Sequence, residues 1–402
     1  MKRKNVWLKG SIALSLLAST ALYATNGDTI IGVGAKVRAM GGAGIALSHG
    51  AESTLVNPAL ITQVKDTEIS FGGTVFMSTI KTEMVGSPLG EGKSAADISV
   101  IPAVAIASQV RPGFYAGIGM WGTAGMGTDF RDRPDLMKME TTLQLMQFAV
   151  PLAYKADRLS VGVAPILQYG SLDIRYVHPN PAVGQVGSGQ EQDFGFGASV
   201  GLTYDFGGGL TVGAVYKSEI EMKYGTSLTT ATGPFSAIPG FPTIADTLTQ
   251  PAEIGVGIGY SNGAHSFAVD YKRIKWSDAP GYKQFGWDDQ DVIAVGYEYK
   301  QDNWAVRLGY NHASSPVQIF PDTAPANAAL NMFNLLGLPA TAENHYTAGG
   351  SYAFNDSFSM DLALVYSPES KTSSTLASMF PGAEIKNKHS EFGATIQLNY
   401  TF

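Results

Sequence analysis

The chain has no cysteine. A protein that leaves the cytoplasm without disulfides must draw its stability from elsewhere. Beyond the first two dozen residues it also lacks any apolar run near the roughly 20 residues that a membrane helix needs, although 45% of its residues are hydrophobic. Charge is sparse at 15% and leans acidic, with a net −7. That balance argues against nucleic acid as a partner. Histidine is scarce. His178 and His312 fall in connections and His49 in a Gly/Ala-rich segment, with no recognisable nucleophile motif nearby. His265 follows a turn, His345 and His389 begin strands, and all three read as surface residues. No residue is assigned to catalysis, a cofactor or a metal, and the chain is not read as an enzyme.

Glycine and tyrosine are plentiful, at 47 and 18 residues. Lys2, Arg3, Lys4 and Lys9 precede an apolar stretch from Ile12 to Ala18, and Leu22-Tyr23-Ala24 ends in a small residue. This is the layout of a secretory signal over residues 1–24.

Period-two alternation runs through most of the remaining chain. In the last strand Phe392, Ala394, Ile396, Leu398, Tyr400 and Phe402 point one way, and polar or small residues point the other. Six short turns, such as Arg111-Pro112-Gly113 and Ser261-Asn262-Gly263, alternate strictly with seven long connections. That implies fourteen strands, an even number with loops sorted by length, as in a bacterial outer-membrane barrel. The expected fold is all-β: a 14-stranded antiparallel transmembrane β-barrel over residues 67–402. Apolar faces such as Ile254, Val256, Ile258 and Tyr260 fit outer-membrane lipid. Glu253, Asp270, Lys272, Glu298, Arg307, Asp361 and Glu391 lie on the opposite faces. Lys or Arg facing the bilayer centre costs about 2–4 kcal/mol, so these charges are expected in the lumen, where pairing with one another is their plainest role.

A barrel of fourteen strands leaves a lumen to fill. The segment Gly32–Thr62 has the small residues for close backbone packing and ends in Asn57-Pro58-Ala59. Residues 25–66 are therefore read as an N-terminal hatch, or plug, inside the barrel. The run Ala39-Met40-Gly41-Gly42-Ala43-Gly44, the hatch motif Asn57, Pro58, Ala59 and the strand starting near Glu68 resemble the FadL/TodX family of outer-membrane transporters.

That resemblance implies uptake of long-chain fatty acids or aromatic and aliphatic hydrocarbons. Ligand would be caught by extracellular loops and released sideways through the barrel wall. In the family the exit lies at a kink in the third strand. Here that strand runs from Gly113 to about Trp121 and into a glycine-rich stretch, so Gly119, Gly122, Gly125 and Gly127 are the expected lateral opening; a plain glycine-rich loop would explain the same letters. Two outer connections are unusually apolar, which calls for a ligand or a partner. From them come the expected ligand-binding residues Phe235, Ile238, Phe241, Leu330, Met332, Phe333, Leu335 and Leu336. Arg307, Lys272 and Arg175 are the cations available to a carboxylate, with Arg307 preferred. The remaining expected partner is the barrel assembly machinery, through the C-terminal strand. An adhesin-like surface protein, with loops that bind extracellular partners, is the alternative function.

Overall fold

The computed structural model describes residues 25–402; the expected signal lies outside them. Fourteen strands form the wall. They are β1 (Glu68–Met84), β2 (Ile98–Arg111), β3 (Phe114–Asp129), β4 (Glu140–Ala149, resuming at Leu152–Ala156), β5 (Leu159–Val177), β6 (Glu191–Gly207), β7 (Leu210–Lys217), β8 (Glu253–Ser261), β9 (His265–Ile274), β10 (Gln290–Gln301), β11 (Trp304–Ala313), β12 (Asn344–Ala353), β13 (Phe358–Thr375) and β14 (Glu384–Thr401). Each pairs antiparallel with the next, and β14 closes the ring on β1, from Thr401 opposite Glu68 to Ile385 opposite Met84. Tight turns and long connections alternate as the sequence implies. No helix among the described residues is long and apolar enough to cross a membrane, so the strands do the crossing.

The two faces of the wall follow the alternation. Ile254, Val256, Ile258 and Leu308 are exposed on the outside, whereas Asp270, Arg307, Asp361 and Glu391 are buried on the inside.

Residues 25–62, almost all of them buried, lie against inward-facing side chains of the wall, whereas Gln63, Lys65 and Asp66 are exposed. A hairpin pairs Thr25–Asn26 with Thr29–Ile30. Helix α1 (Ala35–Ala39) comes next, then two 3-10 turns at Ala51–Leu55 and Pro58–Gln63. Side chains from all round the wall hold this segment. Gln397 accepts from Ala35 N at 2.9 Å, Thr347 from Gly41 N at 3.0 Å, and Asp270 from Gly44 N and Ile45 N at 2.7 and 2.9 Å. The Asn57 amide donates to Ile45 O at 2.8 Å and to Leu202 O of β6 at 3.3 Å, while its oxygen accepts from Ala59 N. The wall makes room for this contact with glycine. A Cβ on Gly201 would collide with Asn57 Oδ1, and one on Gly309 would collide with Gly41 N. The plug's small residues thus meet a wall that is itself recessed.

The third strand departs from the sequence reading in one respect. Gly122 to Gly127 belong to the strand, which continues to Asp129, and are not the start of a connection. Its pairing, however, is uneven. Towards β2 the ladder stops at Trp121 opposite Ala103. Towards β4 it continues to Asp129 opposite Glu140, with a bulge at Thr123. From Trp121 to Thr128 every residue is buried, so the in–out alternation is lost. The edge that β2 abandons is taken up by the plug: Thr29 pairs with Ala124, and Gly125 N donates to Asp28 O at 2.9 Å. Higher up, Ala95 N donates to Asp129 O at 2.9 Å. The result is a window in the wall, bounded below by the Ala103–Trp121 pair, above by Ala95–Asp129, and filled by the first hairpin of the plug.

Candidate functional site

The long-loop end of the barrel is sealed by apolar side chains. Helix α2 (Pro325–Gly337) comes from the β11–β12 connection. It carries Leu330, Met332, Phe333, Leu335 and Leu336, all buried. From the β7–β8 connection, Phe235 stacks on Phe241 at 5.8 Å and meets Phe333 edge-on at 6.3 Å; Ile238 packs beside them. The eight apolar residues expected from the two loops are therefore brought together, in a cap whose members pack on one another. The helix fits here because its own polar groups are used. Asn331 donates to Phe320 O at 2.8 Å and Asn334 to Phe285 O at 2.7 Å. Its last carbonyls, which no helix can satisfy internally, accept from the wall: Leu336 O from Thr128 at 2.7 Å and Gly337 O from Thr141 at 2.6 Å. Thr128 lies on β3 above the window, so cap and window share a strand.

A third loop contributes residues that the sequence reading misses. In the β9–β10 connection, Trp276, Tyr282 and Trp287 form a buried aromatic group with ring centres 4.7–5.0 Å apart. Phe285 of the same loop stacks on Phe333 at 5.2 Å. Tyr282 donates its hydroxyl to Asp28 of the plug, which also accepts from Gln250 at 3.0 Å. Burial raises the Asp28 carboxyl to about 6, against the lowering effect of these donors. Four aromatics within twelve residues of a polar connection are the signal for this group in the sequence.

Below the cap, a cavity of about 70 Å³ opens between plug and wall. Ile30, Ile31, Val33, Ile45 and Leu55 line it from the plug, and Ile166, Val215 and Ile220 from the barrel side. Thr123 and Ala124 bring it to the window. Its polar lining includes Lys217, which pairs with Glu253 at 3.6 Å, and Lys272, which has no ion pair among the described residues.

The other two cations lie elsewhere. Arg175, at the loop rim, is bound to Asp173 at 3.0 Å and Glu140 at 3.7 Å. Arg307 does face the lumen, but three residues from the short turn at Trp304, apart from the apolar cap. It contacts Glu298 at 2.5 Å and Ser351 at 2.5 Å. The structure does not join it to the other expected ligand contacts. Contrary to the expectation from the sequence, neither His345 nor His389 is a surface residue. Both are buried in the lumen against Glu391, at 2.9 and 3.2 Å.

Similarity to known proteins agrees with this architecture. The model of the outer membrane protein transport protein family, OMPP1/FadL/TodX, matches residues 11–402. The chain belongs to that family. A long-chain fatty acid transport protein of Escherichia coli O6:H1 is 24% identical over 91% of this chain and 92% of its own length. Among solved structures, the Pseudomonas putida toluene transporter TodX superposes with a TM-score of 0.68 at 19% identity, covering 92% of this chain and 99% of TodX. A Pseudomonas aeruginosa FadL homologue gives 0.70 at 16% identity, covering 94% and 100%. The protein is accordingly an outer-membrane transport protein of the FadL/TodX family and not an enzyme.

Proposed function

We propose that this protein takes up hydrophobic molecules ending in a carboxylate, of the long-chain fatty acid kind, and releases them sideways through the window between β2 and β3. The observation that carries this reading is one cavity lined both by Lys272 and by Thr123 and Ala124 of the window. An apolar tail gains roughly 0.8 kcal/mol for each CH₂ it buries, and the Lys272 ammonium supplies a charge-assisted partner for the head. Ligand sites for molecules of this size usually hold about 300–1,000 Å³. Filling the cavity therefore requires the plug hairpin or the cap to move, and both touch β3. The fatty acid transport protein of Escherichia coli supports a carboxylate ligand. TodX, a toluene transporter, keeps neutral aromatics as the comparison to beat. The cap residues pack on one another and against the wall instead of standing out in water, which favours uptake over adhesion to a macromolecule.

Thr29 and Ala124 face one another as antiparallel partners, at a separation a disulfide can bridge. The chain has no cysteine to compete. In the Thr29→Cys, Ala124→Cys variant, oxidation should lock the hairpin in the window and abolish fatty-acid uptake, and a reductant should restore it. Wild-type uptake by the oxidised form would refute sideways release.

A further inference from the structure

Glu391 lies on β14 and is buried inside the barrel. His345 Nε2 and His389 Nε2 approach its two oxygens, and each histidine leaves a buried Nδ1 without a partner. Each imidazole donates an N–H to the carboxylate and adds a charge only when it is protonated. Among the described residues no lysine or arginine nitrogen lies within 4 Å of this carboxylate; Arg38 of α1 adds positive potential from further off, its own Nη1 spent on Gly32 O at 3.2 Å. A buried carboxylate is held by charges and donors in contact with it. Thr25 completes the set around Glu391. Its backbone nitrogen sits 3.3 Å from one Glu391 oxygen and its hydroxyl 3.3 Å from the other.

Thr25 is also the residue that follows the small-residue end of the export signal, Leu22-Tyr23-Ala24. We propose that export cuts the chain between Ala24 and Thr25, and that the α-ammonium so created docks on Glu391 and latches the plug hairpin in the lumen. The step is a hydrolysis by a signal peptidase. Water adds its oxygen to the Ala24 carbonyl carbon, the C–N bond breaks, Ala24 leaves as a carboxylate, and Thr25 N takes up protons to become an ammonium. An amide N–H offers Glu391 one neutral donor; the ammonium offers a full charge and a stronger bond.

The hairpin begins at Glu391 on β14 and reaches Ala124 on β3, three strands away round the wall, where it fills the window. The terminus is therefore the far anchor of the element that closes the wall. The latch is a property of the empty protein and stands whatever ligand it carries.

The test needs no ligand. The intact mass of protein taken from outer membranes should match residues 25–402. Asn26 is buried and its amide has no partner, so Asn26→Cys gives a single reporter thiol. Its labelling by a small maleimide should be slow, and Glu391→Gln should speed it at least tenfold. So should one glycine inserted between Thr25 and Asn26, which shifts the ammonium by about 3.5 Å and leaves the barrel sequence untouched. Barrel assembly is read separately, from resistance to unfolding in detergent on a gel. If Glu391→Gln does not assemble, the glycine insertion decides. A mature chain that starts elsewhere, or labelling unchanged in the assembled variants, would overturn the proposal.

Discussion

The two ends of the lumen are built from opposite materials. At the long-loop end, Phe235, Phe241, Phe285 and Phe333 pack on one another and on α2, with neutral amides and hydroxyls satisfying the backbone. At the short-turn end, Arg307 pairs with Glu298, and Lys36 lies 3.7 Å from Asp361, which also accepts from Asn399 at 2.5 Å. A hydrophobic molecule meets apolar surface on entering from one side. To leave by the other it would have to cross a belt of ion pairs and strip their partners, which costs several kcal/mol for each charge left buried alone. Between the ends lies the window, where the obstacle is a hairpin held by a few hydrogen bonds. The contrast between the ends is therefore itself an argument for a sideways exit.

The comparison breaks most completely at the cap. Phe333→Asp puts a charge among the aromatic rings. Truncating a buried Phe costs about 3–5 kcal/mol even without the charge, so the cap should open and uptake of any hydrophobic substrate should fall to background. The barrel should still resist unfolding in detergent, because the strand ladders of the wall are unchanged; coupled loss of assembly and uptake would mean that the cap is structural. Arg307→Ala strikes the opposite end. It leaves Glu298 without its cation, at a cost of about 3 kcal/mol for a buried pair. Thermal unfolding should come earlier, and uptake of fatty acid and neutral hydrocarbon should fall together. Selective loss of the fatty acid would put Arg307 back at the ligand.

Lys272 separates the substrates instead. Lys272→Ala removes a charge-assisted bond of about 1.5–3 kcal/mol, and should raise the fatty-acid concentration for half-maximal uptake at least tenfold while sparing toluene. Equal loss of both would reduce Lys272 to a structural partner of Glu253.

Much of this fold is legible in the sequence because the signals are local. A turn such as Ser261-Asn262-Gly263 and the alternation on either side of it are read within a dozen residues, and strand number and loop sorting follow. The apolar segment at Leu330–Leu338 is equally local. The window is not. Gly119 to Gly127 fit a loop or a strand equally well, and whether the strand keeps its neighbour depends on β2, β4 and Thr29 of the plug at once. Depth along the barrel is hidden for the same reason. Alternation turns Arg307 inward but does not tell the cap from the ion-pair belt. His345 and His389 read as superficial because they begin strands; the inward face of β12 and β14 is set by register, which brings both to Glu391. The glycine recesses at Gly201 and Gly309 are visible only once the plug backbone is seen against them.

Asp28 offers the finest probe of the comparison, because it is a carboxylate that the plug hairpin presents to the aromatic loop of the apolar end. The carboxylates of the ion-pair belt have cations; Asp28 has the neutral donors Tyr282, Gln250 and Thr29. Burial raises it from 3.8 to about 6. An acid whose value is raised in the closed state binds protons there that it gives up on opening. The contact between plug and aromatic loop is therefore strongest below about pH 4 and weakens as pH rises through 6. Going from pH 7 to pH 5 should protect the backbone amides around Asp28 from hydrogen exchange by roughly 1.4 kcal/mol, about tenfold after correction for the intrinsic rate. Asp28→Asn, which keeps the shape and cannot ionise, should lose this dependence. The amides beside Asp361 should show no comparable gain, since protonating a carboxylate that already holds a lysine removes an attraction. Equal protection at both ends would mean that the response belongs to the whole barrel and not to Asp28.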